Sequence, residues 1–339
     1  MSGGPVSESF EAFMSRALMD PKTGYYARKV SGIGARGDFA TSASVGDRLA
    51  RAIAAWLVSG MKQNPQVRTV IEVGGGEGTL MAGVRKHLGW WHRRRIRWIM
   101  VEQSAPLMAR QKEALGSTVT WVGSMTEAFS LAAGHAFIYH NEFLDALPFV
   151  RVEWSAEHAG WREIWLRRDS SDSVQEELRP ADSARWSHLE FSMTRQWNTA
   201  QPPPSVRQRG ELHSGVRDWL QSWASQWLGG AMLTLDYGDL FPTLYHRRPR
   251  GTARAYLLHQ RLEGIEIYQN PGRQDITSDI NFTDLREWSA GLGWKETAYG
   301  AQGEFLNRWA PIGRSSADAY VADPDGAGSA FKFHEVAVT

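Results

Sequence analysis

Not one cysteine occurs in the chain, which excludes disulfides, thiolate metal sites and cysteine nucleophiles together. Long apolar runs are missing as well: no stretch reaches the roughly 18 residues that a membrane-spanning helix needs. A dominant charge is absent too. The 38 basic residues stand against 37 acidic ones, a formal charge of +1, so nothing global favours nucleic acid or a membrane as a partner. The opening Met1-Ser2-Gly3-Gly4-Pro5 has no basic segment leading into an apolar one; export by a signal peptide is not expected, and a cytoplasmic location is. Nucleophile-elbow, zinc-protease and Walker A patterns do not occur, which argues against the common hydrolases and NTPases. Tryptophan is the opposite case. There are 16 in 339 residues, many of them expected to pack in a core or line a groove, because each ring buries a large area.

What is present is an alternation of short apolar strands with helices. Phe10, Phe13, Met14 and Ala17 share one face of a helix predicted over 9–18. Residues 25–44 are rich in glycine and polar residues, and a helix resumes over about 45–58. Helices over 79–88 and 105–115 and strands over 95–101, 119–122 and 136–139 form the pattern of βαβ units and a parallel sheet. Right-handed crossovers then put the loops after these strands on one edge. The pattern changes near Phe149. Segments 149–154 and 161–167 alternate around Gly160 as a hairpin, and Trp219, Leu220, Trp223 and Trp227 fall at helical spacing, more suited to packing than to binding. A buried strand is predicted over 231–236 and a helix over 282–291, with later strand-like pieces closing the sheet by an antiparallel edge.

Four strand ends carry the chemistry. The first runs Val70-Ile71-Glu72-Val73-Gly74-Gly75-Gly76-Glu77-Gly78-Thr79-Leu80, a strand, a glycine-rich turn and a helix start. Glycine permits φ > 0 and close backbone approach to a ligand, and the helix start at Thr79 and Leu80 offers free N–H groups. Dinucleotide spacing fails, because counting from Gly74 through Gly76 puts Thr79 where a third glycine belongs. The pattern present is E-x-G-x-G-x-G, ending at Gly78. Glu72 would repel a pyrophosphate but suits an ammonium, which points to S-adenosylmethionine; a glycine turn with only a packing role is the alternative.

The second strand end places Glu102, with Gln103 beside it, to accept hydrogen bonds from both hydroxyls of a ribose. At the third, Ser124 and Met125 are placed to meet an adenine edge and face, unless they form an ordinary loop. The fourth is His140-Asn141-Glu142-Phe143-Leu144-Asp145-Ala146-Leu147-Pro148. Here Asn141 can orient an amine and Phe143 can wall the site. Glu142 first, then Asp145, can hold a cationic acceptor, since a carboxylate matches a guanidinium fork; a helix-capping role is the plain alternative for Asp145. His140, Glu142 and Asp145 follow no metal-ligand spacing, so no metal is expected. The clusters 92–95 and 246–250 read as basic loops, solvated or facing an acidic protein.

These residues together resemble the MidA-like family of class I methyltransferases, related to the mitochondrial complex I assembly-factor methyltransferase. The resemblance rests on Gly24-Tyr25-Tyr26, Gly37-Asp38-Phe39-Ala40-Thr41-Ser42, the Glu72 to Leu80 loop, Val101 to Ser104 and Asn141 to Pro148. It continues through Gly160 to Glu163, Asp236-Tyr237-Gly238, Gly251-Thr252, Pro271-Gly272, Asp275-Ile276-Thr277, Asn281-Phe282 and Phe305-Leu306, in collinear order over about residues 9 to 310. It implies an α/β fold: a Rossmann-like, seven-stranded, mostly parallel sheet with helices on both faces and S-adenosyl-L-methionine over the strand ends. It also implies a segment folding over the cofactor, making Gly37, Asp38 and Thr41 candidate contacts alongside Glu72, Gly74, Gly76, Gly78, Thr79, Leu80, Glu102, Gln103, Ser124, Met125, Asn141 and Phe143. An arginine of a protein or peptide is the acceptor it suggests, with Glu142, Asp145 and Asn141 as catalytic candidates. A small molecule or modified peptide as acceptor, or a non-catalytic cofactor-binding assembly factor, are the rival readings. The expected division is a helical segment and covering loop over 1–60, a first core part over 61–148, an inserted cap over 149–230 and the rest of the core over 231–339. The stretch 43–47 is shorter than its family counterpart, 275–277 and 280–282 depart from it, and the tail beyond Pro311 has no match in it.

Overall fold

The computed structural model describes residues 6–28, 47–169, 173–180 and 191–338. In chain order the strands begin with β1 (Val6–Ser9), β2 (Thr69–Val73), β3 (Arg97–Val101), β4 (Val119–Val122) and β5 (Phe137–Asn141). β6 (Val150–Ser155), β7 (Gly160–Arg168), β8 (Val174–Pro180), β9 (Arg209–Leu212) and β10 (Gly230–Asp239) follow. The last are β11 (Arg254–Leu257), β12 (Gln260–Leu262), β13 (Asp275–Thr277), β14 (Ile280–Asn281), β15 (Lys295–Ala301) and β16 (Phe331–Val338). The helices used below are α1 (Phe10–Met19), α2 (Tyr25–Arg28), α3 (Arg48–Gln63), α4 (Thr79–His87), α5 (Trp90–Arg95), α6 (Ala105–Leu115) and α7 (Met125–Ala132).

The chain folds as two compact units. The first comprises 1–29, 144–218 and 238–285, and the second 30–143, 219–237 and 286–339. These boundaries differ from the linear division expected above, because residues 238–285 build their contacts with the 144–218 region.

In the second unit seven strands lie in the order β15-β16-β10-β5-β2-β3-β4. β10, β5, β2, β3 and β4 run parallel to one another, while β16 is antiparallel to both β10 and β15. All five residues of β2 are buried, as expected for a parallel strand covered on both faces. α3 turns Leu49, Ile53, Trp56 and Leu57 into a core that Val70, Met81, Val84, Trp98, Phe137, Leu233 and Phe333 complete. The unmatched tail supplies β16, an interior strand and not an appendage. Its Phe331, Phe333 and Val336 are buried, and burial runs without a break from Phe333 to Val336, as expected where both faces of an interior strand are covered.

The first unit holds a five-stranded antiparallel sheet with path β1-β7-β6-β9 and β8 against β7, and a smaller sheet β12-β11-β13. The predicted hairpin is its β6–β7 pair. α1 is capped by the Ser9 hydroxyl, which accepts from the Ala12 N–H. The helix packs Phe10, Phe13, Met14 and Ala17 against Phe149, Ile164, Tyr268 and Ile276.

Two local expectations change. Residues 92–95 are helical, in α5, and not a loop. Trp90 pairs with Arg94 and Trp91 with Arg95, both at i,i+4, each guanidinium lying over its ring, and that spacing favours a helical turn. Trp227 lies beyond the helix that ends at Trp223; its indole packs on Trp294 and donates to the carbonyls of Ala136 and Gly229. Trp223 stacks on Trp294 with centroids 5.2 Å apart. Trp223, Trp227 and Trp294 are packing groups.

Candidate functional site

The C-terminal ends of β2, β3 and β5 gather the glycine loop, Glu102 and the Asn141 turn in the second unit. The loop backbone is left-handed at Gly74, Gly76 and Gly78, with φ of 64°, 53° and 82°. Gly74 N–H donates to the Val101 carbonyl and Gly78 N–H to the Gly75 carbonyl, which closes the turn before α4. At Gly74 a side chain is excluded twice: by φ, and because a Cβ would lie 2.6 Å from Cδ2 of Phe143. The Phe143 ring therefore rests on the loop backbone. At Gly75 a Cβ would come within 2.6 Å of Met100 Cε and 3.1 Å of Glu72 Cδ.

Glu72 is buried beneath this loop. The Tyr139 hydroxyl donates to its Oε2 at 2.9 Å, and the backbone N–H of Met81 in the first turn of α4 donates to the same carboxyl. Burial pushes its pKa up to about 8, against the opposing effect of these two bonds. Glu72 thus ties β2 to the start of α4 and shapes the loop from below. An ammonium brought nearby would draw it toward the ionised form.

Glu102, also buried, directly follows β3. Its Oε1 accepts from the Ser104 N–H at 2.8 Å and its Oε2 from Gln111 Nε2 at 3.0 Å, and burial raises its pKa above the ordinary range. Gln111 was not singled out from the sequence, and it is the hub. The same Nε2 donates to the Gly76 carbonyl at 2.8 Å, and its Oε1 accepts from Trp121 Nε1 at 3.0 Å. One fully buried amide therefore links the glycine loop, the carboxylate of β3 and the indole of β4. The signal was present: on α6, Gln111 occupies the buried stripe between Leu107 and Leu115, where an apolar residue is the rule. Gln111→Leu leaves the buried Glu102 carboxyl and two half-buried groups without this partner, and is expected to cost about 2 to 4 kcal/mol of unfolding free energy. Urea denaturation measures this; an unchanged midpoint would show the hub to be dispensable.

Gln103 is exposed and its side-chain amide donates to the Gly123 carbonyl at 3.3 Å, joining the loops after β3 and β4. Ser124 and Met125 have local tasks. The Ser124 hydroxyl caps α7 by accepting from the Glu127 N–H at 3.2 Å, and Met125 is buried. Both positions follow β4, as expected, but the helix start they form uses their side chains.

After β5 the backbone is strained. Glu142 has φ of +52°, a left-handed conformation that a residue with a Cβ adopts at a cost and that clusters at functional sites. Its N–H donates to the Leu235 carbonyl of β10 at 2.9 Å, and Asn141 Nδ2 donates to its Oε1 at 2.9 Å. Asp236, fully buried within β10, accepts from the Phe143 N–H at 3.2 Å and the Tyr237 N–H at 2.9 Å. Asp236 is a second positioning residue, and its motif Asp236-Tyr237-Gly238 carries no local sign of these partners. The half-buried Trp219 stands edge-on to Phe143 with centroids 5.1 Å apart and to His140 at 5.6 Å. His140 is a core histidine. Its Nε2 meets the Thr234 hydroxyl at 3.0 Å, and burial depresses its pKa to about 3.

Asp145 belongs to the first unit and to a different cluster. Its Oδ2 accepts from the Thr277 hydroxyl at 2.6 Å, and Asp275 nearby accepts from Tyr26 at 3.1 Å. Burial raises the pKa of both acids, that of Asp275 to about 8. The motif pieces at Tyr26, Asp145 and Asp275 to Thr277 meet as a buried, hydrogen-bonded set, so Asp145 has a structural task that the sequence reading had placed second to acceptor binding. Gly37, Asp38 and Thr41 lie outside the described residues.

A carboxylate at a strand end, a glycine cradle above a helix start and an aromatic ring on the loop suit a nucleoside bearing a charged tail. The comparisons with known proteins agree. A family model described as "Putative S-adenosyl-L-methionine-dependent methyltransferase" matches residues 52–299. The mitochondrial protein arginine methyltransferase NDUFAF7 of Rattus norvegicus is 23% identical over 321 residues, covering 86% of this chain and 67% of the relative. Its counterpart in Danio rerio is 26% identical over 314 residues, covering 84% and 68%. A Burkholderia thailandensis structure bound to S-adenosyl-homocysteine shares the fold, with a TM-score of 0.81 at 24% identity over 97% of this chain and 87% of that one.

Proposed function

Because the chain belongs to the S-adenosyl-L-methionine-dependent methyltransferase family matched over residues 52–299, we propose that it methylates an arginine side chain of a protein. S-adenosyl-L-methionine is the cofactor, and when bound it supplies an electrophilic methyl group on a sulfonium. The residues present suit it. Glu102 is a buried strand-end carboxylate with lone pairs left for ribose hydroxyls. The loop from Gly74 to Gly78 presents backbone without side chains to the amino-acid end. Gln111 and Glu72 hold these two pieces in register from behind.

The observation that carries the acceptor assignment is Glu142, held in a strained backbone conformation with its carboxyl oriented by Asn141. A guanidinium has a pKa above about 12 and stays protonated in water. Glu142 would hold it, align one nitrogen with the methyl and take up the proton released as the N–C bond forms and the S–C bond breaks, its electron pair left on sulfur as a neutral thioether. Asn141 and Phe143 would fix the approach and exclude water, and methyl transfer depends on that alignment more than on a strong base. The relatives named as protein arginine methyltransferases support this choice of acceptor.

The test is to incubate the purified protein with methyl-labelled cofactor and a cell lysate. Label is expected on a protein band that yields methylarginine on acid hydrolysis. Label confined to small molecules would replace the protein acceptor by a small one. No transfer despite measured cofactor binding would make this a binding protein.

A further inference from the structure

The parallel strands of the second unit have their N-terminal ends on one edge, opposite the glycine loop. Segments 64–68, 88–96, 116–118, 130–136 and 224–229 lead into β2, β3, β4, β5 and β10, and none contains an aspartate or glutamate. Between Glu77 and Glu102 the chain carries Arg85, Lys86, Arg93, Arg94, Arg95 and Arg97 with no acid among them. The same edge exposes large apolar groups: Trp90 is 49% exposed, Trp91 65%, Leu131 41% and Leu228 59%. They lie on connected backbone. The Arg97 guanidinium donates to the Leu131 carbonyl, and the Leu228 N–H donates to the Gly134 carbonyl at 2.7 Å.

The chemistry of this edge selects among partners. Arg94 lies 4.4 Å from the Trp90 ring centroid and Arg95 5.4 Å from that of Trp91. The two indoles meet edge to face, 4.8 Å apart at 84°. Perpendicular rings, each faced by a guanidinium, offer no parallel platform for successive bases, so single-stranded nucleic acid is a poor match. An acidic protein would meet the cations but gives no reason for four exposed apolar side chains. An anionic bilayer meets both: indoles settle at headgroup level, leucines reach toward the acyl boundary and arginines meet phosphates. We infer that this edge docks the protein on the surface of an anionic phospholipid bilayer. Contact is peripheral, since no helix among the described residues is long and apolar enough to cross a membrane. The strands are five residues long, so the glycine loop stands roughly 16 Å from the docking edge and faces the aqueous side.

The whole chain can be tested by co-sedimentation with vesicles of phosphatidylcholine mixed with phosphatidylglycerol, and with vesicles of phosphatidylcholine alone. Binding is expected to the mixed vesicles only, with blue-shifted tryptophan emission and release at high salt. Neutralising three charges (Arg93→Gln, Arg94→Gln, Arg95→Gln) should weaken binding on the order of a hundredfold. Trp90→Ser with Trp91→Ser should weaken it about tenfold while the cations remain. Unchanged thermal melting, read alongside, shows that each variant folds. Failure to bind the mixed vesicles at low salt would overturn the inference. So would tighter binding to a poly-aspartate peptide or to an oligonucleotide than to lipid, as would full lipid affinity in the double tryptophan variant.

Discussion

Replacing Glu142 by glycine is expected to move stability and activity in opposite directions. The backbone there is left-handed at φ +52°, and removing the Cβ relieves that strain by about 1 kcal/mol. The same change removes the carboxyl that Asn141 orients, so methyl transfer should fall by about a hundredfold or more. Glu142→Gln separates the two effects. It keeps the strain and the Asn141 contact but loses the charge, so melting should stay near the parent value while transfer is lost. Cofactor affinity should change little in either variant. Thermal denaturation and initial rates with labelled cofactor measure all of this. Full activity in Glu142→Gln would remove the residue from the mechanism.

The second large effect is expected at Gly74. An alanine there is forced into φ +64° and brings its methyl within 2.6 Å of the Phe143 ring. The ring must leave the loop or the loop must open, and cofactor affinity should drop at least about tenfold with a stability loss of about 1 to 2 kcal/mol. Phe143→Ala in the same chain removes the clash but not the φ cost. The double variant should therefore lose less affinity than the sum of the two single changes. Calorimetric titration with the cofactor closes this cycle, and strict additivity would deny the contact between ring and loop.

Much of the sheet was legible because its strands are short, apolar and separated by helices with clear starts. α6 is capped by Ser104, with Pro106 in its first turn and Gly116 just past its end, the asymmetry that marks helix boundaries. The antiparallel closure by late strands is legible, but the place of β16 between β10 and β15 is not, because its pairing with β10 joins residues far apart in sequence and no local pattern reports such a contact. The site divides in the same way. Glu102 and the glycines could be found because strand ends and missing side chains leave a local trace. Gln111 and Asp236 could not be assigned their roles, since those consist of partners on three different strands and a turn. Asp145 went to Thr277 for the same reason: a carboxylate in a sequence has no address until its neighbours are known.

The interior position of β16 also sets a schedule for synthesis. β10 leaves the ribosome roughly a hundred residues before the strand that covers its flank, which at cellular translation rates is about 5 to 20 s. Throughout that interval the unpaired flank of β10 is a sticky margin, open to any extended peptide. The nascent chain must keep it shielded, by chaperone or by transient local structure, until Phe331 to Val338 emerges and zips into place.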